Sequence, residues 1–402
     1  MSIKYNNLEN NVGQYLSDNS PVCLYIHIPF CQKKCYYCDF YSIPVDSSRE
    51  KSLMDSYIDA LIREMDIWNV LGLRKLKTIY VGGGTPSILS PQQCKRLIEG
   101  IRTRFLFDDR IEFTVEVNPE SVSKEKLMIL KVSGVNRLSV GIQSFDDGAL
   151  TRVGRITRYK NIVHAIDVIR EVGFDNVNFD LILGIQNDET FKRDLERAVS
   201  FSPTHISVYM LHLSEDTLLS RMVKTGEFRF PDEQYFKELY FFTVDFLEDK
   251  GYEQYEISNF SIPGHKSQHN LNYWKGGNYI GMGAGGVSTL GKYRIGNPKD
   301  VGLYIENLMM GNKHFYLEEF LNEKTKLKEM IMLSLRTEDG LELEIMRDFL
   351  NESVFSNIMN YLSRIEELGM ARIEGNRFVL TPEGFLRFNT LVSEIFGLIE
   401  SY

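Results

Sequence analysis

Cys31, Cys35 and Cys38 stand within the stretch HIPFCQKKCYYCDF (27–40), in a chain that has only five cysteines among 402 residues. Such a cluster admits four chemistries. A disulfide would leave one thiol over. A thioredoxin-like Cys-x-x-Cys would use Cys35 and Cys38 and leave Cys31 without purpose. A structural zinc site wants four closed ligands, with a second pair farther along, and no second pair follows. An iron–sulfur cluster is the remaining choice, because thiolates hold such clusters and a short loop wraps one cubane. A [4Fe–4S] cluster on three thiolates keeps one iron open to a small molecule. Cys23 and Cys94, isolated in apolar or helical surroundings, read as small buried hydrophobes.

Other residues carry chemistry at a distance from that loop. GGGTP (82–86) is a tight glycine turn, and without a Cβ its backbone approaches a ligand closely. The G-x-G-x-x-G spacing of a dinucleotide site is absent. Glu116 in VEVNP and Asp180 in NFDLI can accept hydrogen bonds from hydroxyl or ammonium groups. Arg155 in VGRIT has the planar fork that suits a carboxylate. Gln143 in GIQSF completes the set. In HNLNYW (269–274) His269 is a candidate iron ligand, with Tyr273 and Trp274 as flat apolar walls. From chemistry alone, a histidine beside aromatics is more often a satisfied structural residue, and His212 and His265 compete with it. GMGAGGVS (281–288) lacks the Lys-Ser/Thr ending of a phosphate loop and reads as a structural turn.

These residues need a frame. Short β-branched and aromatic runs at 23–28, 77–82, 112–117, 137–142, 176–183 and 205–211 predict strands. Helical periodicity at 48–71, 91–104, 123–132, 159–172 and 188–200 fills the gaps. Six β-then-α units predict an α/β fold of parallel strands with helices outside, either a doubly wound sheet or an open barrel. The cysteine loop follows the first strand, GGGTP follows the second, Glu116 ends the third, Gln143 follows the fourth and Asp180 lies in the fifth, so these groups gather toward the carboxyl ends where barrel sites lie. The segments divide as 1–20, a short polar arm; 21–230, the β/α body; 231–320, a mixed extension with the HNxxYW motif; and 321–402, a small C-terminal domain. That last domain, three helices with a two-stranded wing, reads as winged-helix-like α+β. It holds nine Lys and Arg against fourteen Asp and Glu, so a packing or lid module is expected over a DNA-binding one. The net charge of −9 works against a nucleic-acid partner. No apolar run reaches the ~20 residues of a membrane span, and the polar N-terminus has no secretion signal. A cytoplasmic setting is the expectation, and there clustered cysteines bind metal more often than they pair.

Cys-x3-Cys-x2-Cys with an aromatic before its last cysteine resembles the signature of radical S-adenosylmethionine (SAM) enzymes. The resemblance implies a three-quarter (β/α)6 barrel and a cluster whose open iron chelates the amino and carboxylate groups of SAM. It also implies reductive cleavage of the sulfonium to a 5′-deoxyadenosyl radical. Gly83, Gly84 and Thr85 then serve the SAM amino group, Glu116, Gln143, Arg155 and Asp180 surround SAM, and Tyr25 and Tyr37 flank the cluster. LYIHIPFC, GGGTP, GIQSF, FDLI and ISNF…HN..YW together resemble the oxygen-independent coproporphyrinogen III oxidase family over nearly the whole chain. Oxidases of that family follow the third cysteine with Gly-Cys and have a longer N-terminal arm; here Cys38-Asp39-Phe40 and a short arm stand instead. With HN..YW, this points to the HemW-like branch, regarded as haem chaperones that pass haem to an acceptor protein, respiratory haem proteins among them. Members of the branch commonly place a histidine after the Gly-rich turn, whereas Val287 and Ser288 follow Gly286. The expectation is a haem chaperone with a [4Fe–4S] cluster, SAM and haem, acting as a monomer or dimer. An oxidase of coproporphyrinogen III and a purely structural metal protein are the alternatives.

Overall fold

A computed structural model of the chain describes residues 13, 15–16, 20–46, 49–311 and 315–400. Most of the expected polar arm 1–20 lies outside the described residues. The chain forms two units: residues 1–232 with 278–320, and 233–277 with 321–402. The expected extension 231–320 is thus shared between them, 278–320 going to the first and 233–277 to the second.

In the first unit the strands β1 (Val22–Ile28), β2 (Leu76–Gly83), β3 (Phe113–Val117), β4 (Arg137–Gln143), β5 (Asn176–Leu183) and β6 (His205–Met210) alternate with helices. These are α1 (Lys51–Val70), α2 (Pro91–Arg104), α3 (Lys124–Val132), α4 (Asp147–Arg152), α5 (Tyr159–Val172), α6 (Asp188–Ser200) and α7 (Leu218–Lys224). The six strands pair in sequence order and all in parallel, as the right-handed βαβ connection requires. Helix starts follow local chemistry. Ser90 and Gln93 form a reciprocal capping box on α2, and Asn187 caps α6 through the Thr190 N–H.

The outer residues of the strands are apolar and covered by helices, as parallel sheets demand. The inner residues are polar and satisfy one another across strands. Ser139 Oγ donates to Asp180 Oδ2 at 2.9 Å, Asn178 Nδ2 donates to Ser139 Oγ at 2.8 Å, and Ser207 Oγ donates to Asn178 Oδ1 at 3.2 Å.

A seventh parallel strand, β7 (Tyr279–Met282), pairs with the free edge of β1, with Cys23 opposite Tyr279. Antiparallel β8 (Val287–Leu290), β9 (Tyr293–Gly296) and β10 (Tyr316–Phe320) extend it, and α8 (Val301–Met310) returns the chain. The sequence reading placed only a glycine turn here. Its four residues Gly283–Gly286 do turn, but the four-residue strands on both sides belong to the sheet. Glu64 of α1 anchors this turn. Its carboxylate accepts from Gly283 N at 2.8 Å, Asn297 Nδ2 at 2.8 Å, Trp68 Nε1 at 3.3 Å and the Tyr304 hydroxyl.

The second unit contains the helix Glu233–Asp249, the hairpin Glu253–Glu256 with Asn259–Ser261, and the short helix Gln268–Trp274. It continues in the helices Glu323–Ser334, Leu343–Arg347, Glu352–Glu367, Pro382–Leu386 and Phe388–Glu400. Strands Ala371–Glu374 and Arg377–Leu380 form the expected wing, and a two-residue strand, Leu341–Glu342, adds a third member. That arrangement is winged-helix-like. No helix among the described residues is long and apolar enough to cross a membrane.

Candidate functional site: a cysteine loop over a polar barrel mouth

One cavity of about 380 Å³ opens at the carboxyl ends of the first unit's strands. Cys31, Cys35, Cys38 and Tyr37 line it from the loop after β1; Gly83, Gly84 and Thr85 after β2; Glu116 from β3; Gln143 from β4; Arg155; and Asp180 from β5. All the expected groups except Tyr25 and His269 therefore meet in one place. Tyr25 points into the barrel, its hydroxyl 2.9 Å from His27 Nδ1 and its ring 6.1 Å from that of Tyr80. His269 belongs to the second unit. It is 1% exposed, and its Nε2 is 2.9 Å from the Tyr273 hydroxyl.

The cysteine loop is held by its backbone. Phe30–Cys31 pairs in parallel with Ile43–Pro44, Val45 N donates to Cys31 O at 2.8 Å, and Tyr36 N donates to Val153 O at 3.0 Å. All three thiols are free. Burial pushes the Cys31 and Cys38 thiols up from their ordinary value, so a bound cation is what would favour their thiolates. Among the described residues no three His, Cys, Asp or Glu groups converge tightly enough to grip a single metal ion. The thiols instead stand as separate donors around a cavity. That suits a polynuclear cluster, in which each thiolate takes a different iron.

The glycine turn is stitched to the cysteine loop. Gly84 N donates to Ile28 O at 2.8 Å and Thr85 N to Phe30 O at 2.7 Å. Gly83 adopts φ +116°, and a Cβ there would lie 2.7 Å from the His27 ring. Only glycine fits that combination. His27 is a residue sequence reasoning passed over. Its Nε2 lies 2.8 Å from Tyr41 O, a pure acceptor, so Nε2 carries the proton and Nδ1 accepts from Tyr25. Burial lowers its pKa and keeps the ring neutral.

Asn118 was also missed, because Asn-Pro reads as a turn. Its Nδ2 donates to Thr85 Oγ1 at 2.9 Å, and its Oδ1 accepts from Arg155 Nη2 at 3.3 Å. Arg155 Nη2 also donates to Gly141 O at 2.6 Å, and Nη1 reaches Cys35 Sγ at 3.9 Å. Burial would lower the Arg155 pKa, but the Tyr37, Cys35 and Glu120 side chains beside it raise it overall. Its Nε is buried with no partner, a donor left for a ligand carboxylate.

Glu116 accepts from the Tyr80 hydroxyl at 2.8 Å and from Gly83 N at 3.1 Å. Burial pushes its carboxyl up to about 7; the Tyr80 bond works the other way, and the Asp180 charge adds to the rise. Asp180 is raised too, by burial, against hydrogen bonds from Ser139, Asn178 and Ser207. A half-buried carboxyl pair at a cavity wall is suited to a cationic, hydroxylated ligand.

The chain is similar to known proteins over nearly its whole length. The radical SAM superfamily model matches residues 25–198, and the HemN C-terminal domain model matches residues 321–387. A protein named heme chaperone HemW from Lactococcus lactis is 34% identical over 91% of this chain and 94% of its own. One of the same name from Bacillus subtilis is 35% identical over 93% and 97%. Among solved structures, coproporphyrinogen III oxidase (HemN) from Escherichia coli, described as a radical SAM enzyme, superposes with a TM-score of 0.82 at 25% identity, covering 98% of this chain and 93% of its own.

Proposed function

The chain belongs to the HemW family of radical SAM proteins, and from that premise we propose that it is a haem chaperone that holds a [4Fe–4S] cluster and SAM in its barrel mouth, binds haem and passes it to an acceptor protein. The observation that carries the chaperone reading is the 34–35% identity over 91% or more of the chain to relatives of that name. The oxidase of like fold stands at 25%.

Cys31, Cys35 and Cys38 would hold the cluster. When bound, cluster and SAM together supply one-electron reduction of a sulfonium. The protein's own groups do the positioning. Arg155, pinned by Gly141 O and Asn118 Oδ1, offers its unpaired Nε to the carboxylate of the methionine moiety. The Gly83–Thr85 backbone and Glu116 face the ammonium group, and Asp180 accepts from hydroxyl donors. Gln143 sits at the wall between them, and Tyr37 covers the thiols. Haem needs an axial ligand, and His269, beside Tyr273 and Trp274, is the residue proposed for it. Its burial and its bond to Tyr273 mean that this helix must open for iron to reach Nε2. His212, on the cavity wall, is the competing ligand.

The test is anaerobic cluster reconstitution, then haem titration and coproporphyrinogen III turnover side by side. We expect about one haem per chain and no turnover. His269→Ala should alter the haem spectrum and His212→Ala should leave it unchanged, both with intact cluster content. Sustained conversion of coproporphyrinogen III would replace the chaperone reading with the oxidase.

A further inference from the structure

Gln143 is a non-glycine residue with φ +68°, and Ser144 N donates back to Ile142 O at 2.9 Å across it. An i to i+2 bond over a positive φ is the strained form of the γ-turn, rare for any side-chain-bearing residue. The same place is a β-bulge: Gly141 faces Asp180 and Gln143 faces Leu181, so Ile142 is the extra residue. Bulges beside active sites re-aim a side chain, and here the re-aimed side chain is Gln143, which lines the cavity.

A strained turn persists only where its surroundings over-determine it. Those surroundings are α6. Asp194, fully buried at 0% exposure, accepts from the Ser144 hydroxyl through Oδ2 and from Phe145 N through Oδ1 at 2.9 Å. Gln186 Nε2 donates to the same carboxylate at 3.1 Å. Arg197, one turn on, donates to Phe145 O at 3.3 Å. The two residues after Gln143 are therefore gripped at the hydroxyl, the amide and the carbonyl; the first two of these bonds end on Asp194 and the third on Arg197. Asp194 itself does not line the cavity.

We propose that Asp194 is a positioning residue for the SAM pocket, clamping the γ-turn that aims Gln143 into the cavity. The proposal rests on the SAM reading above, and its test separates the two. On cluster-reconstituted full-length protein, SAM affinity is measured for wild type, Asp194→Ala, Asp194→Asn, Gln143→Ala and the double variant Asp194→Ala with Gln143→Ala. We expect Asp194→Ala to weaken SAM binding about tenfold (~1.4 kcal/mol) with iron and sulfide content unchanged. Asp194→Asn keeps an acceptor for Phe145 N and should fall between. Because Asp194 acts through Gln143, its removal should add less than about twofold in the Gln143→Ala background. Wild-type affinity in Asp194→Ala, or losses that multiply in the double variant, would overturn the proposal. A wild type that binds no SAM overturns the SAM reading instead. Amide exchange then decides the clamp without SAM: the Phe145 amide should exchange faster in Asp194→Ala than in wild type, and unchanged protection in that variant would overturn it.

Discussion

Glu116 and Asp180 are both half-buried where they line the cavity, and loss of hydration raises both carboxyls above their ordinary pKa. For Glu116 the native value of about 7 lies above the ordinary 4.5, so the folded chain keeps a proton that the unfolded chain releases between those values. Its contribution to stability is therefore lost as pH rises from about 4.5 through about 7. Binding runs the other way, since an ammonium group needs the ionised carboxylate. SAM should bind about tenfold more weakly at pH 6 than at pH 8, with only about a tenth of Glu116 ionised at the lower pH. Glu116→Gln should flatten that profile; a profile unchanged by the substitution would remove Glu116 from the contact. The thiols make a second prediction. Ala at Cys31, Cys35 or Cys38 should each abolish cluster absorbance and sulfide content. The double change Cys23→Ala with Cys94→Ala should preserve both, because Cys23 is 0% exposed on β1 and Cys94 sits buried on α2. Residues whose type announces chemistry were legible in the sequence: the cysteines, Glu116, Arg155 and Asp180. His27, Asn118 and Asp194 were not. Their work is to hold another residue, and nothing in a buried-helix aspartate or an Asn-Pro turn distinguishes that work before the chain is folded.

The six strands and their helices were readable because each is a run long enough to show its period. Helices α2, α5 and α6 fall within the expected limits 91–104, 159–172 and 188–200. Strands β7 to β9 were not readable, since four residues flanked by glycines carry no period and look like a turn. The turn between β2 and α2 makes a sharp test. Gly83→Ala must accept both a left-handed φ and a Cβ 2.7 Å from His27, whereas Gly226, with φ +79°, meets nothing within 4 Å. Gly226→Ala should cost about 1 kcal/mol in urea denaturation from conformation alone, and Gly83→Ala at least ~2 kcal/mol. Equal losses would mean that His27 moves aside freely. Glu64 is the corresponding test for β7. Glu64→Ala strips the acceptor from Gly283 N, Asn297, Trp68 and Tyr304 at once. A loss of about 3 kcal/mol or more is expected, as several buried donors are left unpaired; a loss under ~1 kcal/mol would show that the turn finds other acceptors.

Neither unit is a continuous stretch of chain. In the second, Ile257 N donates to Arg336 O at 3.2 Å, Glu338 N donates to Tyr255 O at 3.1 Å, and Arg336 lies 4.7 Å from the Trp274 ring. Cutting the chain at 320 should therefore leave 233–277 open to protease, while the full chain resists; a resistant 1–320 fragment would show that 233–277 folds without its partner. The same discontinuity sets an order in time. The strand β1, VCLYIHI, is made before the other strands of its sheet, but β7, which covers its free edge, follows roughly 250 residues later. At ~5–20 residues per second on the ribosome, that apolar edge waits on the order of ten to fifty seconds for its neighbour. Slower translation or a warmer culture lengthens or sharpens the exposure. The nascent chain is thus most vulnerable to aggregation before the barrel's last parallel strand emerges, long before any cofactor is at stake.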